Sequence, residues 1–362
     1  MAIGVMSDKG IKRLVSDRII LSKNEIREEQ IQPSSIDLTI GAKGFCINSS
    51  SIPETDNLAD FFQSRKNYEI DLSKETFLHK GYVYVVQLNE SLKLPEYLQA
   101  KANPKSSIGR TDIHVRLITE NGKSFDKIAG GYKGELWIEI CPRSFDIICK
   151  EGISLNQLRV FNTNSRGLNS GELSTLHKEE GILFYPIQKM KKIDSLENLL
   201  DNGELNIRLD LSNKISGYTA KKYAPPVNLL RKDNRASEYF EMVNIKNKEI
   251  IISEDSFYIL NSFEIINIPE GYCAEFLEVD TSSGEFRAHY AGFFDPGFCA
   301  QGVLELRNIG GTPFTIKDKQ KIATVRYFQL KELPEKVYGR KINSTYQGQK
   351  GPKLAKFFDM KK

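Results

Sequence analysis

Two short stretches carry side chains of a kind and spacing that can do chemistry. The first runs Gly292-Phe-Phe-Asp-Pro-Gly-Phe-Cys-Ala-Gln-Gly-Val-Leu-Glu-Leu306. Asp295-Pro296-Gly297 has turn chemistry, since proline holds φ at about −65° and glycine tolerates positive φ. Val303, Leu304 and Leu306 then form an apolar run around one carboxylate, Glu305. Alternation along a strand points Glu305 away from Leu304 and Leu306. Such a residue is either a glutamate on the wet face of a sheet or a carboxylate held in a pocket as a general base, and the stretch alone leaves both open. The second stretch is Lys105-Ser-Ser-Ile-Gly-Arg110. Its backbone N–H groups, two hydroxyls and two cations suit phosphate oxygens, although the same composition also suits a solvated turn.

Several elements must position these groups. Ser7 stands where it can cap a short helix through Ile11, Leu14 and Val15. In Ile31–Gly41, the residues Ile36, Leu38 and Ile40 alternate with Asp37 and Thr39, which predicts a strand with one wet face. Further strands are predicted at 82–86 and at 132–140, the latter with Glu139 among apolar residues. Residues 162–180 are polar and without period, and read as a connection with His177 on its surface. Strict alternation restarts at Leu205–Leu211.

The two halves resemble each other. Lys80–Glu96 aligns without a gap onto Glu254–Glu270, and each copy then carries a serine pair, Ser106-Ser107 or Ser282-Ser283. Each has a strand carboxylate, Glu139 or Glu305, and each ends in a similar strand, Gln157–Phe161 or Thr324–Phe328. Many short strands with turn signals predict a mainly β protein of two tandem jelly-roll-like β-barrel domains with a few short helices. The division is 1–165, a connection at 166–195, and 196–362 with the C-terminal tail.

Composition narrows the function classes. A chain of 362 residues with net charge +4 is only mildly basic, too weakly so for nucleic acid but suited to a small anionic ligand. The five cysteines are scattered and no apolar run approaches a membrane span, so a reduced, cytoplasmic protein is expected.

Taken in order, Gln-Pro-Ser-Ser-Ile-Asp-Leu at 32–38, Ser-Ser-x-x-Arg at 106–110, Asp-Pro-Gly-Phe with Leu-Glu-Leu at 295–306, and Tyr-Gln-Gly-Gln-Lys-Gly at 346–351 resemble dCTP deaminase. The resemblance covers nearly the whole chain and is to the longer, two-domain members of that family, within the dUTPase-like fold. It implies hydrolysis of dCTP to dUTP and ammonia. It also implies that Ser106, Ser107 and Arg110, with Lys105, hold the triphosphate, that Ser106 and Arg110 reach the reacting centre, and that Glu305 moves the protons, with Glu139 as its first-copy equivalent. Asp295 and Val303 belong to the implied nucleotide site, and Tyr338, Tyr346 and Gln349 close over it. Thr345 departs from the lysine common at that place. Mg²⁺ is implied as a companion of the triphosphate, dTTP as a regulator, and a homo-oligomer as the assembly.

The copies depart from the pattern in complementary ways. Copy one keeps the phosphate loop but has Ala129-Gly130-Gly131 in place of Asp-Pro-Gly, while copy two has an altered loop at 280–287. A composite site is therefore expected, with its phosphate loop from copy one and its Asp295 and Glu305 from copy two, within a chain or across an oligomer. The zinc deaminases are a rival, since His177-Lys-Glu179 fits half of their signature, but no Cys-x-x-Cys follows, so no catalytic zinc is expected. Ala291–Asp295 also resembles the dUTP pyrophosphatases, which keeps a pyrophosphatase or bifunctional reading open. A non-catalytic nucleotide-binding oligomer is the third.

Overall fold

The computed structural model describes residues 3–55, 57–186, 190–277, 287–288 (backbone only), 292–339, 342 and 344–360. The protein is mainly β, with a few short helices. In the first half, β1 (Ile36–Ile47), β2 (Val83–Lys93), β3 (Leu98–Pro104), β4 (Ile113–Thr119), β5 (Lys133–Pro142) and β6 (Ser154–Asn162) are antiparallel neighbours in the order β4-β5-β2-β1-β6-β3. The second half has β7 (Glu204–Arg208), β8 (Phe257–Asn267), β9 (Tyr272–Leu277), β10 (Cys299–Asn308) and β11 (Lys321–Gln329). There β8 pairs with β10, while β11 lies between β7 and β9.

The internal repeat reappears in the strand registers. β2 and β8 have boundaries displaced by 174 residues, Val83 to Phe257 and Lys93 to Asn267. In copy one Val85 stands opposite Glu139, and in copy two Ile259 stands opposite Glu305. Even the bulge is repeated, between Gln87 and Ser91 and between Asn261 and Ile265. A bulge re-aims the side chains beyond it, so keeping it keeps the direction of the strand carboxylate.

Some local expectations change. Asp37 and Thr39 do not face water; both are buried, Asp37 against Lys105 and Thr39 against Glu90. At α1 (Asp8–Ser16) the Ser7 side chain makes no capping bond, and the Asp8 carboxylate instead accepts from the amides of Glu335 and Lys336 at 2.9 and 2.8 Å. The stretch read as a connection contains α4 (Ser170–Glu180), whose Leu173 and Leu176 enter the second core. His177 is buried rather than on the surface, accepting from the Ile182 amide at 3.1 Å and bonding the Ile193 carbonyl at 2.6 Å.

The halves are interlocked. A segment of the second half returns to the first, where Val227 and Asn228 pair in parallel with Ile147 and Ile148. Phe145 packs edge-on against Tyr239 and Phe240, with ring centroids 5.5 and 5.4 Å away. Phe358 of the C-terminal tail closes on the same pair at 5.1 and 5.0 Å. This aromatic cluster anchors the tail on the first half, and on the way to it Tyr346 and Lys353 meet Ser107 and Arg110.

Candidate active site

The loop leaves β3 and forms a single helical turn, α3 (Ser106–Gly109), with Arg110 at its end. Facing it are the turn before β10 and the strand itself. Gly297 adopts φ +87°, and a Cβ there would meet Val337 Cγ1 at 2.3 Å, so only glycine fits the turn. Beyond it Val303 and Glu305 lie on the β10 face opposite to Leu304 and Leu306, which enter the third core cluster. Glu305 is 2% exposed, which removes the wet-face reading.

Loop and strand line one cavity of about 560 Å³, a volume suited to a nucleotide. Its wall includes Lys105, Ser106, Ser107, Arg110, Asp295, Val303, Glu305, Tyr338, Tyr346 and Gln349. Ten of the eleven site residues expected from the sequence thus meet in one place, from both halves of one chain.

Arg110 is at the centre of the contacts. Arg110 is 4% exposed, and its guanidinium lies 3.7 Å over the Tyr346 ring. Nη1 donates to Gln349 Oε1 at 3.1 Å and to the Lys353 carbonyl at 2.8 Å. Nε lies 3.7 Å from Glu305 Oε1, beyond hydrogen-bond reach, and has no hydrogen-bond partner. Such a cation favours the ionised form of a neighbouring carboxylate. Ser107 Oγ and Tyr346 OH share a hydrogen bond of 2.8 Å, and the Tyr346 amide donates to Tyr338 OH at 3.3 Å. Gln349 Nε2 donates to the Gln301 carbonyl on β10 at 2.7 Å, so the tail is tied to both halves. Phe276, Phe294 and Phe298 form a continuous aromatic wall, with centroids 4.7 and 4.8 Å apart.

Residues 2–164 match the N-terminal domain of 2'-deoxycytidine 5'-triphosphate deaminase, and residues 172–358 match its C-terminal domain. The crystal structure of 2'-deoxycytidine 5'-triphosphate deaminase from Agrobacterium tumefaciens aligns with TM-score 0.83 and 34% identity, over 91% of this chain and 100% of that one. The chain belongs to the dCTP deaminase family. Relatives named "dCTP deaminase, dUMP-forming" match about half of it. That of Leifsonia xyli subsp. xyli is 28% identical over 166 residues, 45% of this chain and 80% of the relative. That of Dictyoglomus turgidum is 26% identical over 198 residues, 52% and 93% respectively.

Against the dCTP deaminase pattern, Glu139 is the one expected site residue that stands apart from the cavity. Its Oε1 accepts from Arg116 Nε and Nη2 at 3.1 and 2.6 Å, and its Oε2 is buried without a partner. The position matching Val303 is Trp137, which stacks with Phe45 at 6.3 Å and meets Phe62 of α2 (Leu58–Arg65) at 5.4 Å. Bulky rings thus occupy the first copy's version of the cavity. Ser282 and Ser283 lie outside the described residues.

Beside Glu139, burial pushes the Asp126 carboxyl up from its ordinary value of 3.8 to about 7, against the Leu117 amide that donates to it at 2.7 Å and the nearby Arg116. The folded protein therefore keeps this proton where the unfolded chain releases it. The resulting stabilisation is complete below the unfolded value and is lost as pH rises through about 7. Asp126→Asn keeps the acceptor and removes the charge. It is expected to be more stable than the parent at pH 8 by on the order of 1 kcal/mol, after screening at this half-buried site, and equal to it near pH 4. Urea unfolding at the two pH values checks this; a difference independent of pH counts against it.

Some contributors were not assigned roles from the sequence. Asp37 is the partner of Lys105, and burial raises its carboxyl despite that cation. Ser34 Oγ donates to Asp295 Oδ1 at 2.7 Å. Arg159 donates to the carbonyls of Ala274 and Phe294 at 2.8 and 2.7 Å, bracing the Asp295 turn from the first half. Ser34 and Asp37 lie within the Gln-Pro-Ser-Ser-Ile-Asp motif, which was the available signal. Arg159 had none beyond its place in a repeated strand.

Proposed function

We propose that the protein hydrolytically deaminates dCTP in this cavity, releasing dUTP and ammonia. The observation that supports this best is the buried approach of Arg110 to Glu305 inside a nucleotide-sized cavity closed by Tyr346 and Gln349. In this reading Glu305 takes a proton from water as the oxygen adds to C4 of the cytosine. It passes that proton to N3, then takes the proton of the new C4 hydroxyl and gives it to the amino group, so that ammonia leaves as the C4 carbonyl forms. Ser106 orients the amine or the water. Arg110 holds Glu305 ionised in the resting state, so that it starts as a base. Asp295, held by Ser34, takes the sugar, and Lys105, Ser107 and Arg110 take the phosphates.

Mg²⁺ arrives in this reading with the substrate, carried on phosphate oxygens. Among the described residues no group of three His, Cys, Asp or Glu gathers to hold a metal ion. Regulation by dTTP and a homo-oligomeric assembly, both implied by the family resemblance, complete the proposal; sedimentation with and without dTTP tests them. Among the described residues no helix is long and apolar enough to cross a membrane.

A second reading continues to dUMP and pyrophosphate, and rests on the "dUMP-forming" relatives. Product analysis with dCTP and Mg²⁺, after exhaustive chelation of zinc, decides. Ammonia with dUTP is expected, ammonia with dUMP selects the second reading, and activity that only Zn²⁺ restores overturns the metal-free base.

A further inference from the structure

Glu305 and Arg110 form one of two adjacent links between the halves. Two residues further along each segment, Arg307 of β10 meets Asp112 after the loop. Strand alternation puts Glu305 and Arg307 on the same face, roughly 7 Å apart along β10. Arg307 Nε donates to both Asp112 carboxylate oxygens at 3.3 and 3.1 Å, and Nη2 bonds the same carboxylate. Arg307 is 4% exposed and Asp112 is fully buried.

The surroundings lock both partners. Ser144 Oγ donates to Asp112 Oδ2 at 2.5 Å and accepts from Arg307 Nη2 at 2.9 Å. Arg307 Nη1 donates to the carbonyl and carboxylate of Asp255 at 2.7 and 2.6 Å. Asp112 adopts φ +57°, a left-handed conformation that aspartate tolerates better than most residues, and its carbonyl accepts from the Arg143 amide at 3.0 Å.

The two links differ in kind. The Arg110–Glu305 approach of 3.7 Å is too long to be a hydrogen bond and cannot by itself set the geometry. The Arg307–Asp112 link is a fork of hydrogen bonds in a dry interface, directional on both sides. We infer that Arg307 and Asp112 are positioning residues that fix where Arg110 stands relative to Glu305, so that the link between the repeats sets the geometry of the reacting centre. The inference rests on the deaminase reading of that site. A displacement of about 1 Å between reacting groups is enough to lower turnover strongly.

Arg307→Lys keeps the charge and loses the fork. The double variant Arg307→Gln with Asp112→Asn removes both charges together, leaves no buried ion unpaired, and keeps a side chain suited to positive φ. In both variants, measured on folded protein, kcat for dCTP is expected to fall at least ~10-fold and KM to change by a smaller factor, since Lys105 and Ser107, which also take the phosphates, are untouched. The double variant is expected to keep its melting temperature to within a few degrees. A role in stability alone would move the melting temperature and leave kcat per folded molecule unchanged; that result overturns the inference, as does a rise in KM at constant kcat. Parent protein that releases no ammonia from dCTP overturns the deaminase reading and this inference with it, whereas an active parent with unaffected variants overturns this inference alone.

Discussion

Glu305→Gln is expected to lower kcat for dCTP by at least ~10²-fold, the usual scale when a general acid–base group is lost. Glutamine has nearly the same volume and keeps one acceptor oxygen, so the 2% exposed site can still pack around it. Melting temperature and the binding of a non-hydrolysable dCTP analogue should therefore stay close to those of the parent. The substitution also removes the anion 3.7 Å from Arg110 Nε, but Gln349, the Lys353 carbonyl and the Tyr346 ring still hold that guanidinium. Glu139→Gln is the matched comparison. It lies at the same register in the other repeat but against Arg116 and outside the cavity, so kcat should change less than ~3-fold. Steady-state ammonia release measures both. Near-normal turnover by Glu305→Gln, or its loss in Glu139→Gln, would show that the base has been assigned to the wrong repeat.

Arg110→Ala is expected to cost at least ~2 kcal/mol in kcat/KM, roughly 30-fold. It removes two charge-assisted hydrogen bonds to the tail, the stacking on Tyr346 and the cation beside Glu305 in one step. Tail closure and carboxylate ionisation should suffer together, so KM should rise as kcat falls. The same pair of variants tests the composition of the site. Arg110 and Glu305 come from opposite repeats of one chain, so mixing Glu305→Gln with Arg110→Ala protein, after dissociation and reassembly, is expected to restore nothing. Recovery of an appreciable fraction of parental activity would mean that the loop of one chain serves the carboxylate of another. An unchanged kcat/KM in Arg110→Ala would remove the loop from the reaction altogether.

Much of this was legible before any coordinates. Strand period placed Glu305 opposite to Leu304 and Leu306, and the gapless alignment of 80–96 with 254–270 marked the repeat, whose shared registers and common bulge the structure then showed. What failed was the inference of exposure from alternation. Asp37 and Thr39 alternate as a wet face should, yet both are buried, because the second face of β1 is covered too. Period tells which residues share a face, not what lies on it. His177 was misread for the same reason, since helix α4 lies in a polar stretch whose few apolar residues reach a core formed by distant strands.

The amino-acid sequence by itself determined the tandem β architecture, because turn residues, alternation and an internal repeat are local properties of the chain, while its resemblance to dCTP deaminase supplied the expected site residues and the complementary departures of the two copies. Only the tertiary structure decided between equals. It buried Glu305 beside Arg110 in the cavity and set Glu139 against Arg116 outside it, although both glutamates have the same kind of strand around them. It carried the tail back to the first half through Phe145, Tyr239, Phe240 and Phe358. It also paired Arg307 with Asp112 across 195 residues of chain. Such contacts depend on which faces meet when the two repeats pack, and packing of distant segments leaves no period in the sequence.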